Sequence, residues 1–131
     1  MCAGLGLDLC EISRMERLLE DDRFLNRYFT PEEIAYIRGR GRAAAQSMAG
    51  IFAAKEALGK ALGTGIGFEL REAEVRHTAE GCPFYAFSGA LKEKTGGDRF
   101  WLSITHDGGM AAAVCVRETE DFGCKEGGNL L

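Results

Sequence analysis

Residues 51–65 decide how the rest of this chain is arranged, and they read Ile51-Phe52-Ala53-Ala54-Lys55-Glu56-Ala57-Leu58-Gly59-Lys60-Ala61-Leu62-Gly63-Thr64-Gly65. Together with the alanine-rich residues before them, they predict one long helix over 42–62, because alanine and leucine are strong helix formers. Gly63 supplies the left-handed residue that commonly ends a helix.

Two charged residues of this helix, Glu56 and Lys60, are four positions apart and therefore share one face. They could form a salt bridge worth roughly 0.3–0.5 kcal/mol. Alternatively, Glu56 holds a hard divalent cation and Lys60 meets a phosphate bound to it, a division of labour typical of Mg²⁺ sites. The residues alone leave both interpretations open.

The glycine-rich loop Gly63-Thr64-Gly65-Ile66-Gly67 follows the predicted helix. It lacks the Gly-x-Gly-x-x-Gly pattern and does not link a strand to a helix, so it does not predict a dinucleotide-binding fingerprint. It is either a helix stop and turn, or a phosphate-binding loop whose backbone amides lie bare.

The N-terminal segment 3–10 alternates around Leu5, Leu7 and Leu9, the pattern of a half-buried strand. Asp8 and two glycines fall on the opposite face. An acid in a short apolar strand is costly unless water, a donor or a metal meets it. Asp8 is therefore a candidate metal ligand, with an edge-strand or helix-capping aspartate as the alternative.

The remaining pattern puts helices mainly before residue 63 and strands mainly after it. Thr30-Pro31-Glu32-Glu33 predicts a helix that begins there and runs to about Arg38. Strands are predicted over 68–78, 84–87, 100–106 and 110–116, with a short helix over 91–95. This order favours an α+β fold, with an N-terminal strand and helices and a long central helix packed on an antiparallel sheet.

His106 ends a predicted strand just before a glycine turn. At such a position it could transfer a proton, bind a phosphate or simply lie exposed at a rim. A Ser-His-Asp arrangement is a poor interpretation, because Ser103 and His106 point to opposite faces of a strand.

Composition limits the class of protein. The chain has 131 residues, 46% of them hydrophobic, and a net charge of −4, which predicts a single domain over 1–118 with a loose tail over 119–131. The negative charge argues against non-specific nucleic-acid binding. Neither a signal peptide nor a membrane span is indicated, and the five unpaired-looking cysteines predict reduced thiols in a cytoplasmic protein.

Five motifs, in order along residues 3 to about 118, resemble the holo-[acyl-carrier-protein] synthase family of 4′-phosphopantetheinyl transferases. The motifs are Gly4-Leu5-Gly6-Leu7-Asp8 with Ile12 and Arg14, Phe29-Thr30-Pro31-Glu32-Glu33, Phe52-Ala53-Ala54-Lys55-Glu56-Ala57 with Lys60-Ala61-Leu62-Gly63-Thr64-Gly65, Gly81-x-Pro83, and Ser103-Ile104-Thr105-His106 before Ala111-Ala112-Ala113-Val114. Five ordered motifs are far more specific than any one of them.

The resemblance implies an activity and an assembly. Members of the family transfer phosphopantetheine from coenzyme A to a serine of acyl carrier protein and release adenosine 3′,5′-bisphosphate. They form homotrimers whose active sites lie in clefts between subunits. By this resemblance Asp8 and Glu56 are Mg²⁺ ligands and, with Lys60, the catalytic residues.

The resemblance also implies which residues bind each substrate. For coenzyme A, Lys60 reaches the pyrophosphate, the loop over Gly63, Thr64 and Gly65 lies beside it, Pro83 neighbours the adenine, and Thr105 with His106 approaches the nucleotide phosphates. For the carrier protein, the docking residues are Arg14, Arg23 and Phe24.

The sequence leaves three points open. Family members commonly have arginine where this chain has Ile51, so one phosphate contact is either missing or supplied from elsewhere. The base that takes the serine proton could be Glu56, Asp8 or a water molecule. The alternative to an enzyme is a non-catalytic module that binds coenzyme A or another nucleotide.

Overall fold

The structure is a computed structural model that describes residues 1–120. Its helices and strands follow one another as β1 (Cys2–Glu11), α1 (Ile12–Glu16), α2 (Asp22–Tyr28), α3 (Pro31–Arg38), α4 (Ala44–Leu62), β2 (Ala73–His77), β3 (Pro83–Phe87), α5 (Gly89–Thr95), β4 (Arg99–Asp107) and β5 (Met110–Glu118). Short 3-10 turns at Gly41–Ala43 and Leu70–Glu72 precede α4 and β2. The predicted α+β class is confirmed.

The strands form two antiparallel sheets. One has three strands in the order β1-β5-β4, and the other consists of β2 and β3. In the larger sheet, Asp8 of β1 lies opposite Ala113 of β5, which in turn lies opposite Ile104 of β4. Helix α4 packs across this sheet and supplies half of the buried hydrophobic core, with alanines and a few larger residues.

Two predicted helix boundaries are confirmed in detail. Helix α3 begins with a capping box, in which the Thr30 side chain accepts from the Glu33 backbone N–H while the Glu33 carboxylate accepts from that of Thr30. Helix α4 ends at Gly63, whose φ of 77° is left-handed. The fold therefore follows local sequence signals at both places.

The prediction for strand β1 needs a correction about which face is buried. Leu5, Leu7 and Leu9 are 63%, 61% and 62% exposed, and the glycine face packs on α4 instead. A Cβ atom at Gly4 or Gly6 would lie within 2 Å of a carbonyl oxygen of α4. The absence of side chains there lets the helix backbone approach the strand directly, which explains why the glycine face is the inner one.

The three exposed leucines belong to a larger apolar surface. Its other members follow from the strand register, because residues directly opposite one another share a face. We call this surface the outer sheet face, and it consists of Leu5, Leu7, Leu9, Trp101, Ser103, Thr105, Ala112, Val114 and Val116. Trp101 is 54% exposed.

A buried ion pair joins α3, α4 and β2. Lys55 Nζ lies 2.9 Å from Glu33 Oε1, and both side chains are at most 1% exposed. Lys55 also donates to the carbonyl oxygens of Leu70 and Ala73, each at 2.8 Å, and Glu33 Oε2 accepts from the Val75 N–H at 2.8 Å. Burial raises the pKa of Glu33 and lowers the pKa of Lys55, and the opposite charge of each partner counters these shifts.

The same lysine explains a wrong prediction over residues 68–78. The segment was expected to form a strand from Phe68, but the strand begins at Ala73, after the 3-10 turn. The Leu70 carbonyl accepts from Lys55 rather than from a neighbouring strand. A tertiary contact therefore replaces the start of the sheet ladder.

Most of the predicted tail falls on residues 121–131. These residues, Cys124 among them, lie outside the described part of the chain. In the described part, Cys2, Cys10, Cys82 and Cys115 are free thiols. None of the helices within residues 1–120 combines the length and the apolar character that crossing a membrane requires.

Candidate functional site

The contact between β1 and α4 brings three predicted site residues together. Lys60 Nζ lies 2.8 Å from the Leu7 carbonyl oxygen and 3.2 Å from Asp8 Oδ1. The charged partner of Lys60 is therefore Asp8 on the strand and not Glu56 on its own helix. The interpretation of Glu56 and Lys60 as a simple pair along the helix is not supported.

Two carboxylates share this site and repel each other. Burial, with the nearby charge of Asp8, raises the pKa of Glu56, while Lys60 and Arg14 lower it less. Ionising Glu56 beside Asp8 thus costs free energy that a further cation would offset. Mg²⁺ commonly takes only one or two protein carboxylates, so Asp8 and Glu56 fit such an ion. Among residues 1–120 no group of three or more acidic, histidine or cysteine side chains forms an all-protein metal site.

The glycine-rich loop after α4 uses its amides within the helix terminus. The Gly63 N–H donates to the Lys60 carbonyl, and those of Thr64 and Gly65 both donate to the Gly59 carbonyl at 3.2 and 3.1 Å. The expectation of bare amides is therefore wrong at these three residues. The loop is first of all a helix stop, because the helix carbonyls need donors.

A pocket of about 260 Å³ lies on another side of α4. Its walls come from α3, the start of α4, the turn before β3, and β4. The lining residues are Tyr36, Arg40, Gln46, Ser47, Gly50, Ile51, His77, Gly81, Pro83, Ile104 and His106. We call it the α3–α4 pocket. Two predicted cofactor-binding residues, Pro83 and His106, thus meet in one cavity.

Within this pocket His106 has a defined position, because its Nε2 lies 3.0 Å from Nε2 of Gln46. Thr105 does not join it. Thr105 lies on the outer sheet face, opposite Ala112, whereas His106 lies on the inner side. Ile51 is 1% exposed and contributes an apolar patch to the pocket floor.

A third cluster lies where α1 and α2 meet α4. The Arg14 guanidinium is 5.4 Å from the centroid of the Phe52 ring, and the ring of Phe24 is 6.0 Å from it. Tyr28 packs edge-on against the same ring at 5.7 Å. Arg23 is exposed on α2 beside Phe24. Arg14 and Phe24 therefore lie against the Phe52 ring, and Arg23 is an exposed positive charge directly before Phe24 on α2.

The carboxylate pair and the α3–α4 pocket are separated within one chain. The pocket includes none of Asp8, Glu56 and Lys60. With roughly 100° of rotation per residue, Glu56 lies about 150° around α4 from the helix residues that line the pocket. One chain therefore presents the carboxylate pair and the pocket on different sides of the same helix.

Several pocket residues were not predicted from the sequence, among them Tyr36, Arg40, Gln46 and His77. None belongs to a recognisable motif, and they lie on α3, on the turn that follows it, on α4 and on β2. The nearest local signal is the glycine-flanked turn around Arg40, which by itself predicts only a helix end.

The fold and the sites define a class of protein: an α+β domain built on one central helix, with a carboxylate–lysine cluster and a separate polar pocket. A sequence model of the 4′-phosphopantetheinyl transferase superfamily matches residues 4–115. The chain belongs to this superfamily, and with it to the phosphopantetheinyl transferase class of enzymes.

Individual relatives agree with this assignment. The holo-[acyl-carrier-protein] synthase of Treponema denticola is 47% identical over 123 residues, which span 90% of this chain and 99% of that protein. The crystal structure of the synthase from Neisseria meningitidis superposes with a TM-score of 0.80 at 33% identity, covering 91% of this chain and all of that one. The Bacillus anthracis synthase, solved in complex with CoA (3′,5′-ADP), gives 0.78 at 36% identity, covering 92% and 99%.

Proposed function

We propose that this chain transfers the 4′-phosphopantetheine group of coenzyme A to a serine of apo acyl carrier protein and releases adenosine 3′,5′-bisphosphate. The observation that carries the proposal is the cluster of Asp8, Glu56 and Lys60 at the contact between β1 and α4. Two mutually repelling carboxylates beside an exposed lysine suit a bound cation and a pyrophosphate. We assign the activity to a single domain over residues 1–118 of a cytoplasmic enzyme.

In the proposed reaction, the serine hydroxyl oxygen attacks the phosphorus on the pantetheine side of the pyrophosphate. The bond from that phosphorus to the bridging oxygen breaks, the nucleotide leaves, and the hydroxyl proton passes to a base. Asp8 and Glu56 would hold Mg²⁺, which supplies neutralisation of the charge that grows on the phosphate oxygens. The ammonium of Lys60, 54% exposed, is placed to donate to the same oxygens.

We assign the nucleotide end of coenzyme A to the α3–α4 pocket. Pro83 is proposed to contact the adenine and His106 a phosphate, because both line this cavity. The loop over Gly63, Thr64 and Gly65 is proposed to lie beside the pyrophosphate. Its amides at these three residues donate to carbonyl oxygens of α4, and the Thr64 hydroxyl donates to the Gly65 carbonyl oxygen at 3.2 Å, so a phosphate contact would have to exchange one of these bonds.

The separation of the carboxylate pair from the α3–α4 pocket supports a homotrimer. If one chain supplies Asp8, Glu56 and Lys60 and its neighbour supplies the α3–α4 pocket, a complete site forms between subunits. The outer sheet face offers an exposed apolar surface for that assembly. Thr105, which lies on this face, would then approach the nucleotide at the interface. That the assembly has three subunits is implied by the resemblance to the family.

Replacing Leu7 with lysine is expected to convert the trimer into monomers, because a charge would lie at the centre of the apolar surface. The measurement is molar mass by light scattering during size-exclusion chromatography, with wild type at three times the mass of one chain. Phe84→Lys is the matched control, since Phe84 is an exposed aromatic on the other sheet. A wild-type protein with the mass of one chain would contradict the trimer.

We further propose that Arg14, Arg23 and Phe24 dock the carrier protein through its acidic surface. Arginine held over an aromatic ring keeps its charge exposed and its geometry fixed. Charge complementarity of this kind mainly raises the association rate and selects the partner.

Arg14→Gln is expected to raise KM for the carrier protein on the order of tenfold and leave KM for coenzyme A nearly unchanged. Glutamine is preferred to glutamate because the charge at residue 14 also acts on Glu56. Steady-state kinetics with each substrate varied in turn measures the split, and Lys94→Gln on α5 is the control. Equal losses for both substrates would show that Arg14 is not a docking residue.

The direct test of the function is to incubate the protein with coenzyme A, Mg²⁺ and an apo acyl carrier protein, then to weigh the carrier by mass spectrometry. The expected result is a carrier heavier by one phosphopantetheine group, and no gain when EDTA is present. Binding of coenzyme A without any mass gain on several carriers would favour the non-catalytic module.

A further inference from the structure

Lys60 is bonded to a residue that the proposed function needs elsewhere. Its ammonium donates to the Leu7 carbonyl oxygen at 2.8 Å and to Asp8 Oδ1 at 3.2 Å. The proposed reaction requires this ammonium at the pyrophosphate of coenzyme A, and it requires the Asp8 carboxylate at Mg²⁺. Lys60 therefore has to change partners between the free protein and the loaded one.

The contact between Lys60 and Asp8 competes with a divalent ion for the same carboxylate. The Asp8 side chain is 19% exposed, so solvent and salt screen its charge less than that of a surface residue. An ion on Asp8 and the ammonium beside it would be two cations at one anion, and they repel each other. A bound ion is therefore opposed for as long as Lys60 stays on Asp8.

Lys60 can leave Asp8 without disturbing the sheet. Its side chain is 54% exposed and ends on a flexible four-carbon stem. Leu7 lies on β1, at the edge of the three-stranded sheet, and its carbonyl oxygen accepts from Lys60 rather than from another strand. Release of the ammonium thus breaks one ion pair and one edge hydrogen bond, and the strand pairing is kept.

We propose that Lys60 holds Asp8 until coenzyme A binds, so that the divalent ion binds weakly alone and tightly together with coenzyme A. The inference rests on the proposed function, which assigns the ion to Asp8 and Glu56 and the pyrophosphate to Lys60. The charge of the pyrophosphate draws the ammonium away from Asp8, and its oxygens are further ligands for the ion. Each ligand thereby favours the other, which is positive coupling between two binding events.

The test measures the affinity for Mn²⁺, a probe that takes the same oxygen ligands as Mg²⁺. Electron paramagnetic resonance counts the free ion during titration of the full-length protein, with and without saturating coenzyme A. A titration without protein corrects for the Mn²⁺ that coenzyme A binds by itself. Wild-type protein should bind Mn²⁺ at least about tenfold more tightly when coenzyme A is present.

Lys60→Met removes the competing cation and should tighten the binding of Mn²⁺ alone by about threefold to fivefold, the typical worth of one partly exposed ion pair. The gain in Mn²⁺ affinity from coenzyme A should shrink by the same factor. Melting temperatures verify that the fold is retained. If Lys60→Met melts below wild type, Lys60→Gln, which keeps a donor for the Leu7 carbonyl, replaces it with the same expectation.

Arg14→Gln is the matched control for the loss of one positive charge. Arg14 also acts on Glu56 through its charge, but its described contact is with the Phe52 ring. It should change the affinity for Mn²⁺ alone by less than about twofold, because a charge that does not contact the carboxylate is screened. Equal tightening in Lys60→Met and Arg14→Gln would show general repulsion, and the competition for Asp8 would then be wrong.

The remaining outcomes distinguish this inference from the proposed function. If wild-type protein transfers phosphopantetheine but binds Mn²⁺ equally well with and without coenzyme A, the competition is wrong and the function stands. The same holds if Lys60→Met leaves the affinity for Mn²⁺ alone unchanged. If wild-type protein binds Mn²⁺ in neither state and leaves the carrier unmodified, the proposed function fails and this inference fails with it.

Discussion

Glu56→Gln is expected to lower kcat/KM for phosphopantetheine transfer by at least about a hundredfold while leaving the fold intact. Glutamine has the same shape but loses the negative charge with which Glu56 would hold Mg²⁺, and cation stabilisation of phosphoryl transfer is worth several kcal/mol. Transfer measured at saturating Mg²⁺ and carrier protein gives the loss.

A second, independent prediction concerns the stability of the Glu56→Gln variant. Burial and the charge of Asp8 disfavour the ionised form of Glu56. Replacing the acid by glutamine should therefore leave the melting temperature without metal unchanged or higher. Glu93→Gln, on the exposed side of α5, is the control for both measurements. Near-normal turnover of Glu56→Gln would remove the basis of the metal assignment.

Lys55→Met is expected to destabilise the protein by about 3–5 kcal/mol, the cost of leaving one member of a buried ion pair alone. Glu33 would keep a buried charge, and the carbonyl oxygens of Leu70 and Ala73 would lose their donor. For a domain of this size the melting temperature should fall by roughly 10–20 °C. Melts must be compared at one protein concentration, since assembly adds to stability.

The pH dependence of this loss has a definite sign. Burial raises the pKa of Glu33, and removing Lys55 raises it further because the attraction of the lysine is gone. A carboxyl whose pKa is higher in the folded than in the unfolded chain stabilises the fold while the carboxyl is protonated. This stabilisation is lost as the pH rises through the folded pKa. Lys55→Met should therefore be closer to wild type at pH 5 than at pH 8.

Two controls distinguish the pair from a general effect of lysine removal. Lys92→Met, on the exposed surface of α5, should leave the melting temperature nearly unchanged. The double variant Glu33→Gln/Lys55→Met should lose less than the sum of its two single variants, because the unpaired charge is removed. Strict additivity would show that the two residues are not coupled.

These predictions divide a single motif into two roles that the sequence does not distinguish. Lys55 and Glu56 are adjacent, and both are charged. In the fold Lys55 points into the core toward Glu33, whereas Glu56 is half-buried beside Asp8. The difference arises because neighbouring residues on a helix point about 100° apart, and only the packing of α4 decides which direction is the interior.

Several features could be predicted from the sequence because local signals specify them. The capping box at Thr30, the helix over α4 and its stop at Gly63 depend on contacts within a few residues. The hairpin of β4 and β5 likewise follows from the glycine turn between two apolar runs. The five ordered motifs indicated the superfamily, and the comparisons confirm it.

Other features could not be predicted because they depend on distant partners. Alternation in β1 showed that the strand has two faces, but the inner face is the glycine one, since α4 needs close approach of the backbones. The partner of Lys60 likewise comes from some fifty residues earlier. Each outcome depends on how α4 lies against β1.

The sequence by itself determined the class of fold, the end of the central helix and the superfamily, because periodicity, capping and motif order are properties of the linear chain. Only the tertiary structure decided which charges meet. It set Asp8 beside Lys60, buried Lys55 against Glu33, and gathered Arg40, Tyr36 and His77 from three separate segments. The physical reason is that electrostatics and packing act across space, where sequence separation has no influence.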